Sequence, residues 1–280
     1  MGNIVVRIRS KLPAIINGIN TLYGDYPLAH DDEFTDFHIE LDRPQNLRGL
    51  LRPQVRFLLD GRAPFLPLPL PQAMPMFEWG LNWCITHHIQ SFLMIHAAVV
   101  EKNGRAVILP APPGSGKSTL CAALVLRGWR LLSDELTLID IADGAVVPMP
   151  RPISLKNHSI GLISSFSRDA VIGPSVRDTV KGTVALMRPP ATSVENSLVK
   201  STLRWIVFPQ FLAESEASLT DIAKSRAFMR VADNAFNYGE LGATGFAVLA
   251  NAIESATAHD FVYSKLEEAI DCFDRLESLP

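Results

Sequence analysis

One stretch limits the folds open to this 280-residue chain more than any other: Ala111-Pro-Pro-Gly114-Ser115-Gly116-Lys117-Ser118-Thr119. The apolar run Arg105 to Leu109 before it has the length of a buried strand. Leu120 to Leu126 after it has the leucine content of a helix, which Arg127-Gly128 closes with a basic last turn and a glycine stop. A glycine-rich turn from strand to helix ending in Lys-Ser fits the phosphate-loop pattern G-x-x-x-x-G-K-S/T, with alanine at the first glycine. Gly114 and Gly116 let the backbone curl so that successive N–H groups face one anion, and the helix start adds the positive end of its dipole. In such a loop Lys117 reaches the β and γ phosphates of ATP, and the Ser118 hydroxyl ligates magnesium. The expected phosphate-binding set is Gly114, Ser115, Gly116, Lys117, Ser118 and Thr119.

Seventeen residues beyond Lys117, after the apolar Trp129-Arg-Leu-Leu132, stands Ser133-Asp134-Glu135. Open α/β sheets bind ligands at the carboxyl ends of their strands. An acidic pair there is placed to hold magnesium together with Ser118, or to take a proton from an incoming hydroxyl. Arg151 and Lys156, in the cation-rich Pro148-Met-Pro-Arg151-Pro-Ile-Ser-Leu-Lys156, are candidates to clamp phosphates or an acidic substrate.

The chain divides at a proline strap. Its 20 prolines exceed average usage of about 5%, and five gather at 64, 67, 69, 71 and 75. Proline at alternate positions removes backbone donors and favours an extended connector. The strap separates a small strand-rich N-terminal unit, residues 1–75, from a body of residues 76–280. In the front unit Ile4 to Ile8, Phe37 to Leu41 and Val55 to Leu59 read as strands. In the body, Phe77 to Gln90 has helical spacing, and Phe92 to Val100 pairs with Arg105 to Leu109 across the turn Glu101-Lys-Asn-Gly104. Trp129 to Leu132, Leu136 to Ile141, Thr183 to Met187 and Leu203 to Phe208 read as strands, and Ser218 to Val231 and Thr244 to Ile253 as helices. Ser264-Lys-Leu-Glu267 forms a capping box for a last helix with Leu266, Ile270, Phe273 and Leu276 on its apolar face. This alternation belongs to the α/β class. His87-His88 makes no metal pair, because adjacent helical residues point about 100° apart.

Charge and cysteine usage narrow the setting. With 26 Lys and Arg against 29 Asp and Glu the net charge is -3, which argues against a nucleic-acid partner. Cys84, Cys121 and Cys272 are widely spaced and odd in number, neither a disulfide framework nor a zinc signature. No apolar run approaches the 18 or so residues of a membrane span, and the first residues lack the apolar core of a secretory signal. The expected compartment is the cytoplasm.

The stretch Ile95 to Leu138 resembles the core of the bacterial HPr kinase/phosphorylase family. That family carries a histidine on the strand before the P-loop strand, a G-x-S-G-x-G-K-S loop and an R-G-x-R-L-x-x-D-D segment. Here these positions hold His96-Ala97, Gly114 to Ser118, and Arg127-Gly128-Trp-Arg130-Leu-Leu-Ser-Asp134-Glu135. With Glu78-Trp79-Gly80-Leu81-Asn82-Trp83, Lys156-Asn157, Lys181-Gly182-Thr183 and a terminal Leu-Glu-Glu-Ala helix, the chain resembles the HPr-kinase-related kinase A group over nearly its whole length. The resemblance implies a P-loop kinase-like body of the HPr kinase/PEP carboxykinase type, with ATP and Mg2+ as cofactors. It implies Lys117 as the phosphate lysine, Asp134 as general base, Glu135 as the second acid and His96 beside the reacting phosphate. Pro113, Ala97 and Glu135 depart from the family pattern, and its L-E-I-R-G segment has no clear counterpart, so reverse phosphorolytic activity is not implied.

The expected function is an ATP-dependent phosphotransferase, a kinase acting on a hydroxyl, serine first, of a protein or peptide. Members of the related group look like partners of peptide-maturation or secretion systems, which points to a dedicated peptide or carrier protein, and the resemblance implies homo-oligomers. Two alternatives stay open: a nucleotide-binding regulatory module without phosphotransfer, and a small-molecule kinase of the same fold.

Overall fold

The computed structural model describes residues 1–30, 32–44 and 51–278. The fold is mixed α/β with several sheets. The front comprises β1 (Val6–Ser10), α1 (Pro13–Leu22), β2 (Phe37–Asp42), β3 (Gln54–Leu59) and β4 (Leu68–Pro69), with sheet order β1-β2-β3-β4. β1 runs parallel to β2, and the later pairs are antiparallel. Phe37, Ile39 and Leu41 are buried while His38 is exposed, as the period of two requires. The strand-rich reading of this region omits α1. Ile15, Gly18 and Leu22 give that helix one buried stripe, and Pro13 occupies its first turn, where a missing N–H has no partner to lose.

The strap contributes β4, a short 3-10 turn at Leu70–Gln72, and the start of α2 (Ala73–His88). α2 begins earlier than its Phe77 signal, with Pro75 tolerated in the first turn. A Cβ at Gly80 would overlap the Phe57 ring, so glycine there allows α2 to lie directly on β3. Phe77, Leu81, Cys84 and Ile85 of α2 share one core with Ile15, Phe37, Leu41 and Phe57 of the front, and with Met94, Leu138 and Leu186 from further along.

The body continues through β5 (Phe92–Ile95), β6 (Ala97–Lys102), β7 (Arg105–Pro110), α3 (Lys117–Leu126), β8 (Arg130–Ser133), β9 (Thr137–Asp140), β10 (Val146–Val147) and β11 (Ile153–Lys156). Then follow α4 (His158–Phe166), β12 (Val176–Thr179), β13 (Gly182–Met187), α5 (Ala191–Glu195), β14 (Thr202–Phe211), β15 (Ser218–Asp221), α6 (Lys224–Asp233), α7 (Tyr238–Ser255), β16 (Thr257–Tyr263) and α8 (Leu266–Ser278). The largest sheet has the order β15-β16-β14-β7-β6-β8, with β16, β14 and β7 parallel. Both its faces are buried. Val107 and Leu109 of β7 pack with α3 and α8, and Ala106 and Ile108 pack with α6 and α7.

Three expectations are corrected here. The single strand Phe92 to Val100 breaks at His96, whose N–H donates to the Asn234 carbonyl at 2.7 Å instead of joining a ladder. β5 therefore pairs with β9, while β6 enters the large sheet. Ser218 to Val231 is not one helix: Ser218–Asp221 pairs with β16 as an edge strand, and α6 starts at Lys224. Ser264 does not build a capping box, because its hydroxyl donates to the Ser215 carbonyl at 2.6 Å.

Candidate functional site

The loop 111–116 joins β7 to α3 at the carboxyl end of the parallel strands. Gly114 and Gly116 both have φ of +88°, and Ala111 is not among the residues with positive φ, so alanine suffices at that position. A Cβ at Gly116 would also overlap the Tyr263 hydroxyl. Two strand ends hold the loop in place. The Phe211 N–H, closing β14, donates to the Ser115 carbonyl at 2.9 Å, and the Tyr263 hydroxyl, closing β16, donates to the Gly116 carbonyl at 3.0 Å. Sequence reasoning missed both anchors; Tyr263 lies 147 positions from Gly116.

Lys117 opens α3 and is 8% exposed, with Nζ free of hydrogen-bond partners. Burial pushes its pKa below the usual lysine value, against the pull of Asp134 and Glu135. Ser118 and Thr119, in the same first turn, are half-buried. Asp134, just past β8, is 3% exposed. Its Oδ2 accepts the Ser154 N–H at 3.0 Å, and its Oδ1 has no hydrogen-bond partner. Burial, with the neighbouring Glu135 charge, raises its pKa; Lys117, the Ser154 N–H and Ser118 oppose the rise. His96 lies between β5 and β6, its ring 5.7 Å from that of Phe236. Burial and then the Lys117 charge push its pKa down to about 4, so it is neutral at pH 7.

Glu135 belongs to a second group of side chains. Asn82 of α2 bridges it to Arg151, donating through Nδ2 to the carboxylate and accepting from the guanidinium through Oδ1. Lys181 approaches the other carboxylate oxygen at 3.7 Å and lies 5.4 Å above the Trp79 ring. Burial alone would raise the Glu135 pKa, but Lys181, Arg151, Lys156 and Lys117 together bring it below the usual value. Arg151 is 5% exposed, and its Nη1 is 3.9 Å from Glu78. Burial raises the Glu78 pKa, and the hydroxyl of Tyr23, just past α1, donates to it. Lys156, half-buried at the end of β11, acts electrostatically on Lys117, His96 and Glu135. Asp134, Glu135, Arg151, Glu78 and Trp79 line one small cavity. The structure thus brings together the carboxylates, cations and imidazole proposed from the sequence, with Lys181 of the Lys181-Gly182-Thr183 motif beside them, and adds Asn82 and Glu78. The Glu78-to-Trp83 segment is the signal for both.

Unpartnered polar atoms concentrate here. Among the described residues, the buried side-chain atoms without a hydrogen bond are Ser115 Oγ, Lys117 Nζ, Asp134 Oδ1, Arg151 Nε and Nη1, Ser154 Oγ and, elsewhere, His259 Nδ1, which faces Asp221 at 2.8 Å. Each such group costs about 1–3 kcal/mol. No group of three or more His, Cys, Asp or Glu is arranged to hold a metal among the described residues.

The family model described as "SynChlorMet cassette protein ScmC" matches residues 74–152, from the first turn of α2 to Pro152. That model is not one of the HPr kinases, which the core motifs resemble. No curated protein matches the chain. Among solved structures, the HPr(Ser) kinase/phosphatase from Coxiella burnetii is similar at 12% identity and a TM-score of 0.30, over 66% of this chain and 97% of that one. No helix among the described residues is long and apolar enough to cross a membrane.

Proposed function

We propose that the chain is an ATP-dependent phosphotransferase with a P-loop kinase-like body, acting on a serine hydroxyl of a protein or peptide. The observation that carries this reading is the set of unpartnered buried atoms on the loop and the facing strand ends. Lys117 and Ser115 offer donors where the Gly114–Gly116 curl offers backbone N–H groups, and Asp134 offers an acceptor opposite them. Four cations, Lys117, Arg151, Lys156 and Lys181, gather in a chain whose net charge is -3, so attraction for polyphosphate is local to this site.

The donor set fits Mg2+, which takes one or two carboxylates and fills the rest of its shell with phosphate oxygens and water. Ser118 and Asp134 would hold it, neutralising charge on the phosphates. Glu135 has its oxygens turned to Asn82 and Lys181, so we assign it the holding of Lys181 and Arg151 in place of metal ligation. The remaining steps belong to side chains. Lys117 holds the terminal phosphate in line. Asp134, whose pKa burial raises above the usual carboxylate value, accepts the proton of the attacking hydroxyl. His96 stays neutral and adds no charge beside the phosphate. The word "cassette" in the matching family's description supports a partner encoded nearby, a peptide or carrier protein.

The test incubates the protein with γ-labelled ATP and host extract and identifies labelled species by mass spectrometry. A labelled polypeptide is the expected result. A labelled small molecule would move the reading to a small-molecule kinase. Tight MgATP binding in calorimetry without any labelled product would move it to a nucleotide-binding regulatory module.

A further inference from the structure

A second cavity, of about 200 Å³, lies between α1, α2 and β13. Gly18 and Leu22 of α1, Met74 and Pro75 of α2, and Val184 and Leu186 of β13 wall it, and no charged side chain lines it among the described residues. A Cβ at Gly18 would overlap the Met74 side chain, so the glycine lets the two helices close on the space. Pro75, Val184 and Leu186 also wall the small cavity that holds Asp134 and Arg151. The two spaces are back to back across one layer of side chains.

Size and lining limit the occupant. An apolar cavity of about 150 Å³ takes a benzene ring, whereas cofactor-sized ligands use about 300–1,000 Å³. This space suits one large apolar side chain. Beside it runs β12, an edge strand whose Val176 lines the cavity and whose Asp178 carbonyl already accepts from the Gln72 side chain at 2.8 Å. Edge strands offer backbone groups to an incoming extended segment, while adjacent pockets select its side chains. An uncharged pocket, an edge strand and a shared wall with the Asp134 cavity fit a polypeptide.

We propose that this cavity receives a leucine- or phenylalanine-sized side chain of the acceptor polypeptide, one to three residues from the hydroxyl presented to Asp134. At about 3.3–3.6 Å per extended residue, that spacing spans a single side-chain layer. The inference rests on the phosphotransfer reading and adds the class of its acceptor.

Two readouts test it on the full chain. The first is an NMR titration with N-acetyl-phenylalanine amide, and with N-acetyl-glycine amide as control, watching the methyl groups of Leu22, Met74, Val184 and Leu186. Saturable shifts with the phenylalanine probe alone are expected, and they should vanish in Ala14→Trp. Ala14 lines the cavity from an exposed position, so an indole there fills the space without altering the core. Thr21→Trp, equally exposed and lining, replaces it if Ala14→Trp melts early. Absence of saturable shifts overturns the inference.

The second readout is phosphate transfer from ATP to serine peptides with phenylalanine or leucine scanned from three residues before to three after the serine. One register should gain at least about tenfold in kcat/KM over alanine, mainly through KM, and lose it in Ala14→Trp. Transfer indifferent to the apolar residue overturns this inference and leaves phosphotransfer standing. Saturable methyl shifts with no transfer to any peptide overturn the phosphotransfer reading and the acceptor assignment with it.

Discussion

Replacing Lys117 with methionine should make the protein more stable and weaken its hold on ATP. The ammonium is buried, 8% exposed, and has no hydrogen-bond partner, so folding strips its water and returns no bond. An unsatisfied buried polar group costs about 1–3 kcal/mol. Methionine keeps the stem's apolar contacts without the charge. The loss of attraction to Asp134 offsets part of the gain, although a carboxyl whose pKa is already raised responds by taking up a proton. The net expectation is about 1–2 kcal/mol of stabilisation, or roughly 2–4 °C in Tm for a chain of this size. The lysine pKa is depressed in the folded state, so between that value and the unfolded value of 10.5 the unfolded chain binds more protons and stability rises with pH. The Tm advantage of Lys117→Met should therefore shrink as pH climbs toward 10.5. A charge-assisted bond to phosphate contributes about 1.5–3 kcal/mol, so ATP affinity should fall roughly ten- to 150-fold. Differential scanning calorimetry across pH and isothermal titration with MgATP read both effects. A variant that melts below wild type and binds ATP within threefold would refute the reasoning.

Three further outcomes are expected. Asp134→Asn should abolish phosphate transfer while MgATP affinity stays within about tenfold, and full transfer in that variant, measured with labelled ATP, would remove Asp134 as the base. Gly116→Ala should cost about 1–3 kcal/mol, because φ of +88° and overlap with the Tyr263 hydroxyl act together; a chemical denaturation midpoint unchanged from wild type would contradict it. His96 has a folded-state pKa of about 4 against 6.5 unfolded, so its contribution to stability is present above pH 6.5 and lost as pH falls toward 4. His96→Gln should flatten that part of the pH–Tm curve, and a curve of unchanged slope would show that other groups set it.

What the sequence disclosed follows the range of the forces involved. The turn at Gly114–Gly116 and the helix after it are local, set by residues within a few positions of one another, and the pattern of residue types expresses them directly. α1 was legible in principle, through Pro13 and the spacing of Ile15, Gly18 and Leu22, but short apolar runs in a strand-rich setting masked the helical period. The break at His96 depends on the Asn234 carbonyl, and the strand at Ser218–Asp221 on the free edge of β16; no window around either residue contains its partner.

Arg151 marks the same limit within the site. Read along the chain, a lone arginine between prolines is a surface cation or a phosphate clamp. In the fold it is buried, bonded to Asn82 and drawn to Glu78, and through Asn82 it is tied to Glu135. All three contacts depend on α2 lying on β3, which Gly80 permits by leaving room for Phe57. An alanine at Gly80 would press α2 away from β3 and shift Asn82 and Glu78 relative to Arg151. Its effect should therefore reach the Asp134 cavity as well as the front core, although residue 80 itself touches neither carboxylate nor cation.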